Sequence, residues 1–165
     1  MLKLLPILFF AAANITQISI FEIDGIFSSG HINAIERYVN ENELKNTSLF
    51  VIQYNASDVN ENSINELQEL LKNIKTPKAI WVGPNKTTVD ADLLKSFDYV
   101  GISPGTTITN KSSNNEFEFT NQEGIYEGYM VVGSIGAFIE NLGSEKIVSN
   151  ITSQETGTPS IVSFD

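Results

Sequence analysis

The sequence contains no cysteine. That excludes a disulfide framework and any thiolate metal site, and leaves the compartment open. Histidine is almost missing too: His31 is the single copy, so a multi-histidine metal centre is excluded. Basic charge is scarce. Lys and Arg number 10 against 20 Asp and Glu, a formal net charge of −10. A nucleic-acid binder needs a basic stripe to displace phosphate counterions, and none exists here. Anionic membrane surfaces are disfavoured for the same reason. No internal repeat and no break in composition marks a second domain. What is present is ordinary for a globular chain: 165 residues, 41% hydrophobic and 18% charged, enough for one domain with a real core.

The organising stretch runs from Lys78 to Thr107. A short apolar run, Ala79–Val82, breaks at Gly83-Pro84, and a second, Tyr99–Ile102, breaks at Ser103-Pro104-Gly105-Thr106. Gly and Pro cannot easily continue a ladder, so each break marks a strand end. In α/β folds sites are built at such ends, which makes the loop Gly83–Asp92 the first place to look for chemistry.

Residues 1–13, MLKLLPILFFAAA, have a Lys near the start, an apolar run and a closing Ala11-Ala12-Ala13. This is the layout of a signal peptide with an A-x-A cleavage pattern, too short to span a bilayer of ~30 Å as a helix. The expectation is an exported domain beginning near Asn14. Gln17–Ile23 alternates and predicts a strand ended by Asp24-Gly25. Ser28 or Ser29 then caps a helix carrying Ile32, Ile35 and Val39 on one face. Leu49–Tyr54 predicts an interior strand, followed by the loop Asn55-Ala56-Ser57-Asp58. Ser63 and Glu66 have capping-box spacing before a helix with Ile64, Leu67, Leu71 and Ile74 on one face, stopped at Thr76-Pro77. This alternation argues for a largely parallel sheet flanked by helices. Ile108–Gly124 is polar and predicts a loop. Tyr129–Val132 predicts a short strand, and Ile135, Phe138, Ile139 and Leu142 a helix ended by Gly143. Lys146–Val148 and Ile161–Phe164 are expected to pair as a hairpin around Thr156-Gly157-Thr158-Pro159.

Several residues invite a chemical reading. Thr87 or Thr88 beside Lys86 could form a hydroxyl–amine pair, although a Thr pair before a helix is ordinarily a cap. Ser96 and Lys95 are adjacent near a helix end and do not face one another. His31 stands at a helix start with no evident partner and is expected in solvent. Asp90 with Asp92, and Asp58 with Glu61, suit the positive end of a helix better than a metal. Trp81 suits the core or an anchor on a sheet face. Asn-x-Ser/Thr sequons begin at Asn14, Asn46, Asn55, Asn85, Asn110 and Asn150, and matter only in a eukaryotic secretory chain.

The order of these pieces resembles the ClpP-class membrane-bound serine proteases of the NfeD type, relatives of signal peptide peptidase A on the ClpP/crotonase fold. The resemblance rests on four pieces: the first strand with Asp24-Gly25; Val51-Ile52-Gln53-Tyr54 leading to a loop; Trp81-Val82-Gly83-Pro84 followed by Val100-Gly101-Ile102-Ser103-Pro104-Gly105-Thr106; and Gly128–Ile135 with Phe138, Leu142 and Gly143-Ser144-Glu145-Lys146. It implies an α/β, ClpP/crotonase-like domain over residues 14–165 with a mostly parallel sheet flanked by helices. Family members continue into transmembrane helices and a small β-barrel domain, so the expectation is a domain lacking that downstream membrane region, membrane-tethered in its full-length form. The implied mechanism needs a Ser nucleophile at a helix start, a Lys base and a Gly-rich oxyanion turn. The turn is replaced by Asn55-Ala56-Ser57-Asp58, where side chains block backbone geometries that glycine allows. Residues 85–92 contain no Ser, and the later region that should carry the Lys has only Lys111, in a polar loop. No residue is therefore assigned a catalytic, cofactor-binding or metal-binding role, and no cofactor is expected. The leading reading is a protease-like domain that has lost peptidase chemistry and serves assembly or protein interaction, with a homo-oligomer among the assemblies such folds form. An active serine endopeptidase of the same class and a generic exported α/β binding module are the alternatives. A crotonase-type acyl-CoA enzyme shares the fold, but an export signal argues against it.

Overall fold

A computed structural model describes residues 17–41, 47–84, 88–110, 115–118, 124–126, 128–144 and 160–164. The first strand, β1 (Gln17–Phe27), leads into helix α1 (Ser29–Asn40), and β2 (Thr47–Val59) into α2 (Glu61–Lys72). Then come β3 (Lys78–Val82), β4 (Thr88–Asp90), the four-residue α3 (Ala91–Leu94) and β5 (Tyr99–Ile102). The chain continues through β6 (Thr107–Asn110), β7 (Asn115–Glu118), β8 (Gly124–Tyr126), β9 (Tyr129–Val131), α4 (Ile135–Ser144) and β10 (Ser160–Phe164).

Seven strands form one sheet in the order β10-β1-β2-β3-β5-β9-β8. All neighbouring pairs are parallel except the edge pair β8–β9. This is the expected architecture: mixed α/β, with a mostly parallel sheet flanked by helices. From β1 through β2 and β3 to β5 the chain steps across the sheet in one direction. Right-handed crossovers in that direction must all lie on one face. Accordingly Ile32 and Ile35 of α1, Leu67 and Leu71 of α2, and Leu93 and Leu94 of α3 share a core with Phe21, Ile23, Phe50, Ile52, Ile80 and Val82 of the sheet. The order reverses twice, where the chain returns from edge strand β8 to β9 and where it crosses to β10 beyond β1, and α4 lies on the opposite face. There Phe138 and Leu142 pack with Ile18, Ile20, Leu49, Val51, Ala79 and Trp81. Consecutive strand residues thus belong to different cores, which is why the strands read as continuous apolar runs.

Local chemistry sets the helix starts. Ser28 is extended (φ −141°, ψ 174°) and is the N-cap of α1. Asn60 is the N-cap of α2, its side chain accepting from the Asn62 N–H at 3.0 Å. Ser63, expected as the cap, lies inside the helix and is buried. Glu61 in the first turn and Lys72 in the last complement the helix dipole.

Several boundaries differ from the sequence reading. Asp24-Gly25 does not end β1. Gly25 takes φ 68°, the ladder shifts register between Gly25 and Ile26, and the strand runs on to Phe27. The segment 55–58 is not a loop either; it extends β2. Asp24 pairs with Asn55, Gly25 with Ala56 and Ile26 with Asp58, leaving Ser57 unopposed. These residues have turn-forming composition, but the β1 ladder and the complete burial of Ala56 override it. Within the stretch expected as a loop from Ile108, β6 and β7 pair antiparallel, and β4 pairs parallel with β6 to make a second, three-stranded sheet. That sheet sends Val89 and Ile108 into the helix-side core. Gly143 falls inside α4 rather than ending it. The late hairpin is not formed by Ile161–Phe164: β10 pairs parallel with β1, Ser160 beside Gln17. Lys146–Val148 and the segment 1–13, expected as a signal peptide, lie outside the described residues. Among the described residues no helix is long and apolar enough to cross a membrane.

Candidate functional site

The carboxyl ends of β1, β2, β3 and β5 lie side by side, where a parallel sheet places its chemistry. On the face toward α4, the ladder aligns Asp24, Asn55, Gly83 and Ser103, with Glu22 two residues before Asp24 on the same face. The Gly83 N–H donates to the Tyr54 carbonyl at 2.9 Å, and the Ser103 N–H to Val82 at 2.8 Å, so the ladder holds these positions in register.

Asn55 is the centre of the group. It is 9% exposed. Its Nδ2 donates to Glu22 Oε1 at 3.2 Å, while Oδ1 is buried with no hydrogen-bond partner. The carboxamide covers Gly83, where a Cβ would overlap Oδ1 and lie 2.9 Å from Cγ. Trp81 lines the same corner, and its indole N–H donates to the Val132 carbonyl at 3.3 Å. The space over the β3 end is thus filled by side chain. A burial this complete also keeps the Asn55 sequon out of reach in the folded chain.

The turn after β5 is closed in a similar way. Gly105 has φ 80°, and the Thr106 N–H donates to the Ser103 carbonyl at 3.3 Å, which with Pro104 makes a type II turn. Thr106 Oγ1 donates to the same carbonyl at 2.8 Å and lies 3.2 Å from Ser103 Oγ. Both hydroxyls are buried, and among the described residues no lysine or histidine nitrogen bonds to either.

The other singled-out residues have structural employment. His31 is not free in solvent: its Nδ1 accepts a long 3.4 Å bond from the Ser28 N–H, and its ring meets Phe27 edge-on at 5.9 Å. Asp90 is the N-cap of α3 and accepts from the Asp92 N–H at 2.9 Å. Asp92 in turn holds Lys95 Nζ at 3.0 Å. By hydrogen bond and then charge, Asp92 holds the Lys95 ammonium above the ordinary lysine range. A lysine general base requires the opposite shift, so Lys95 is no partner for Ser96. Asp58 accepts from the Val59 N–H at 2.8 Å within the strand rather than serving the helix that starts at Glu61. Thr88 lies in β4; Lys86, Thr87 and Lys111 lie outside the described residues. Among the described residues no group of three or more His, Asp or Glu side chains could hold a metal.

The sequence reading missed Glu22 as a member of this group. Its signal was weak but present: Glu22 continues the Ile18, Ile20 series, a charged side chain on a face that is otherwise apolar.

No protein-family model matches this chain, and no curated protein matches it. Solved structures similar to it include forms of the 1510-N membrane-bound stomatin-specific protease. A lysine-to-alanine mutant in complex with a substrate peptide has a TM-score of 0.49 at 14% identity, over 84% of this chain and 59% of that one. A serine-to-alanine mutant has a TM-score of 0.49 at 15% identity, over 91% and 81%. The 1510-N membrane protease specific for a stomatin homolog from Pyrococcus horikoshii has a TM-score of 0.48 at 17% identity, over 91% and 75%.

Proposed function

We propose that this chain is a ClpP-class, serine-protease-like domain that has lost peptidase chemistry and acts by assembly or protein interaction. Residues 1–13 direct its export, and it works at the extracytoplasmic side of a membrane to which the full-length protein is tethered. One observation carries the reading: where an acyl-transfer site of this class needs free backbone donors beside an empty pocket, Asn55, Ala56 and Asp58 continue β2 in register with β1 and the Asn55 side chain fills the corner over Gly83. An oxyanion hole works only if its donors point at the developing charge in an open pocket, and here the Asn55 carboxamide takes that space. The absence of Ser from residues 85–92 and the closed Ser103–Thr106 turn support the same conclusion. The sequential run β1-β2-β3-β5, with its helices on one face, supports the crotonase-type layout over a doubly wound binding module, whose order turns back at a central strand.

The test is an active-site serine probe, a fluorophosphonate, applied to the purified domain alongside a peptide hydrolysis assay. Neither labelling nor turnover is expected. Stoichiometric labelling of one Ser or Thr, with peptide cleavage abolished by its replacement, overturns the proposal in favour of an active endopeptidase.

A further inference from the structure

A second group of side chains gathers at the opposite, amino end of the sheet, where α2 leads into β3 and α3 into β5. Four lysines are among the described residues, and three of them, Lys72, Lys78 and Lys95, line one cavity of about 330 Å³. They come from three elements: the last turn of α2, the first residue of β3 and the C-cap of α3. Asp98 is the one carboxylate among the lining residues, and Leu71 and Phe97 supply apolar wall. Lys78 is the deepest of the three lysines, its side chain 15% exposed. Its Nζ donates to the Ile74 carbonyl at 2.9 Å and stands 3.9 Å from Asp98 Oδ2, beyond hydrogen-bond length. An ammonium carries three donors, so two of them have no hydrogen-bond partner among the described residues. A cation this far out of water is costly unless its donors are met. The i,i+3 partners Glu69 and Asp92 explain Lys72 and Lys95 singly. They do not explain why both meet an under-bonded Lys78 at one cavity.

We propose that this cavity binds the phosphate group of a phosphomonoester. Three ammonium groups less one carboxylate leave the lining residues with a charge of +2, which matches a phosphomonoester dianion better than a monovalent carboxylate. Lysine ammonium groups are compact point charges that suit phosphate oxygens, whereas a carboxylate is better matched by the planar fork of arginine. Lys78 meets the phosphate with its open donors. Glu69 and Asp92 do not line the cavity, and exposed pairs of their kind are weak in water, so Lys72 and Lys95 can turn to the dianion. Leu71 and Phe97 leave an apolar wall for the organic part of the ester. The chain's net charge of −10 repels an extended polyanion, which confines the site to a single phosphate group. The cavity lies at the other end of the sheet from Asn55 and Gly83, so the inference does not rest on the loss of catalysis.

The test titrates phenyl phosphate into the full chain by calorimetry, beside benzoate at equal ionic strength. Phenyl phosphate is expected to bind and benzoate is not. K72Q/K95Q, at two exposed positions, is expected to weaken phenyl phosphate about tenfold. K78Q is expected to abolish its binding. R37Q/K75Q, which removes two cations outside the cavity, is expected to leave it within about twofold. Circular dichroism checks that each variant is folded, and if K78Q is not, K72Q/K95Q decides the question alone. Sedimentation with phosphatidylcholine vesicles carrying phosphatidate separates two sources of the phosphate. Capture that phenyl phosphate competes away assigns it to a lipid headgroup; binding of phenyl phosphate without capture assigns it to a soluble ester, and both uphold the site. Equal affinity for benzoate, equal loss in the two double variants, or no binding of phenyl phosphate overturns the proposal. The serine-probe result is independent of all these outcomes, so failure of this site and failure of the loss-of-catalysis reading are told apart.

Discussion

The Asn55 carboxamide occupies the space that a side chain on residue 83 would claim. Held by Glu22 and almost wholly buried, Asn55 cannot swing aside without leaving that partner. Gly83→Ala is therefore an overpacking change, expected to destabilise the domain by about 2 kcal/mol in urea unfolding. Asn55→Ala in the same chain is expected to recover much of that loss. Strictly additive losses in the two single variants and the double would show that the two groups do not compete.

Gly101 and Phe138 have the same relation on the α4 side. A Cβ at residue 101 would lie 2.5 Å from one ring carbon of Phe138 and 2.8 Å from two others. Phe138 is fully buried, and the surrounding β-sheet leaves the ring little room to move. Gly101→Ala is expected to cost about 2 kcal/mol, and Phe138→Ala about 3–5 kcal/mol. Gly136→Ala, in the first turn of α4, meets only Ser134 Oγ at 3.9 Å. It is expected to raise stability by up to about 1 kcal/mol. Thermal melts of the three variants check both the sizes and the opposite sign.

The cap of α2 distinguishes two candidate residues. Asn60 accepts from a first-turn N–H, so Asn60→Ala is expected to cost about 1 kcal/mol. Ser63→Ala is expected to cost less, since Ser63 follows the cap instead of forming it. The reverse order in denaturant midpoints would restore the capping box read from Ser63 and Glu66.

Tyr54 makes stability depend on alkaline pH. Burial pushes its phenol well above the ordinary tyrosine value. Above about pH 10 the unfolded chain loses this proton while the folded chain keeps it, so stability present below pH 10 is lost as pH rises. The loss from this group approaches about 1.4 kcal/mol per pH unit until the folded phenol ionises. Tyr54→Phe is expected to flatten that part of the profile and leave the neutral region nearly unchanged. Parallel profiles for the two proteins between pH 8 and 11 would remove Tyr54 as the cause.

How much of this was legible depended on whether the deciding contact was local. The faces Ile32–Ile35 and Leu67–Leu71 were readable because a helix repeats every few residues and needs only its own chain to declare which side is apolar. The turn at Ser103–Thr106 was readable for the same reason: Pro and Gly restrict their own backbone. The segment 55–58 was misread because Asn, Ser and Asp favour turns in isolation, and only the neighbouring β1 makes them a strand. Ile161–Phe164 was placed in a hairpin with a nearby segment, whereas its partner lies more than a hundred residues away in β1.

Sequence alone determined the composition limits, the alternation of strand and helix, and the missing serine after Gly83-Pro84. Tertiary structure alone decided that β1 and β2 continue together past Asp24 and Asn55, and that Asn55 covers Gly83. The physical reason is range: backbone preference and periodicity act within a few residues, while ladder pairing and side-chain contact join positions whose separation along the chain says nothing of their separation in space.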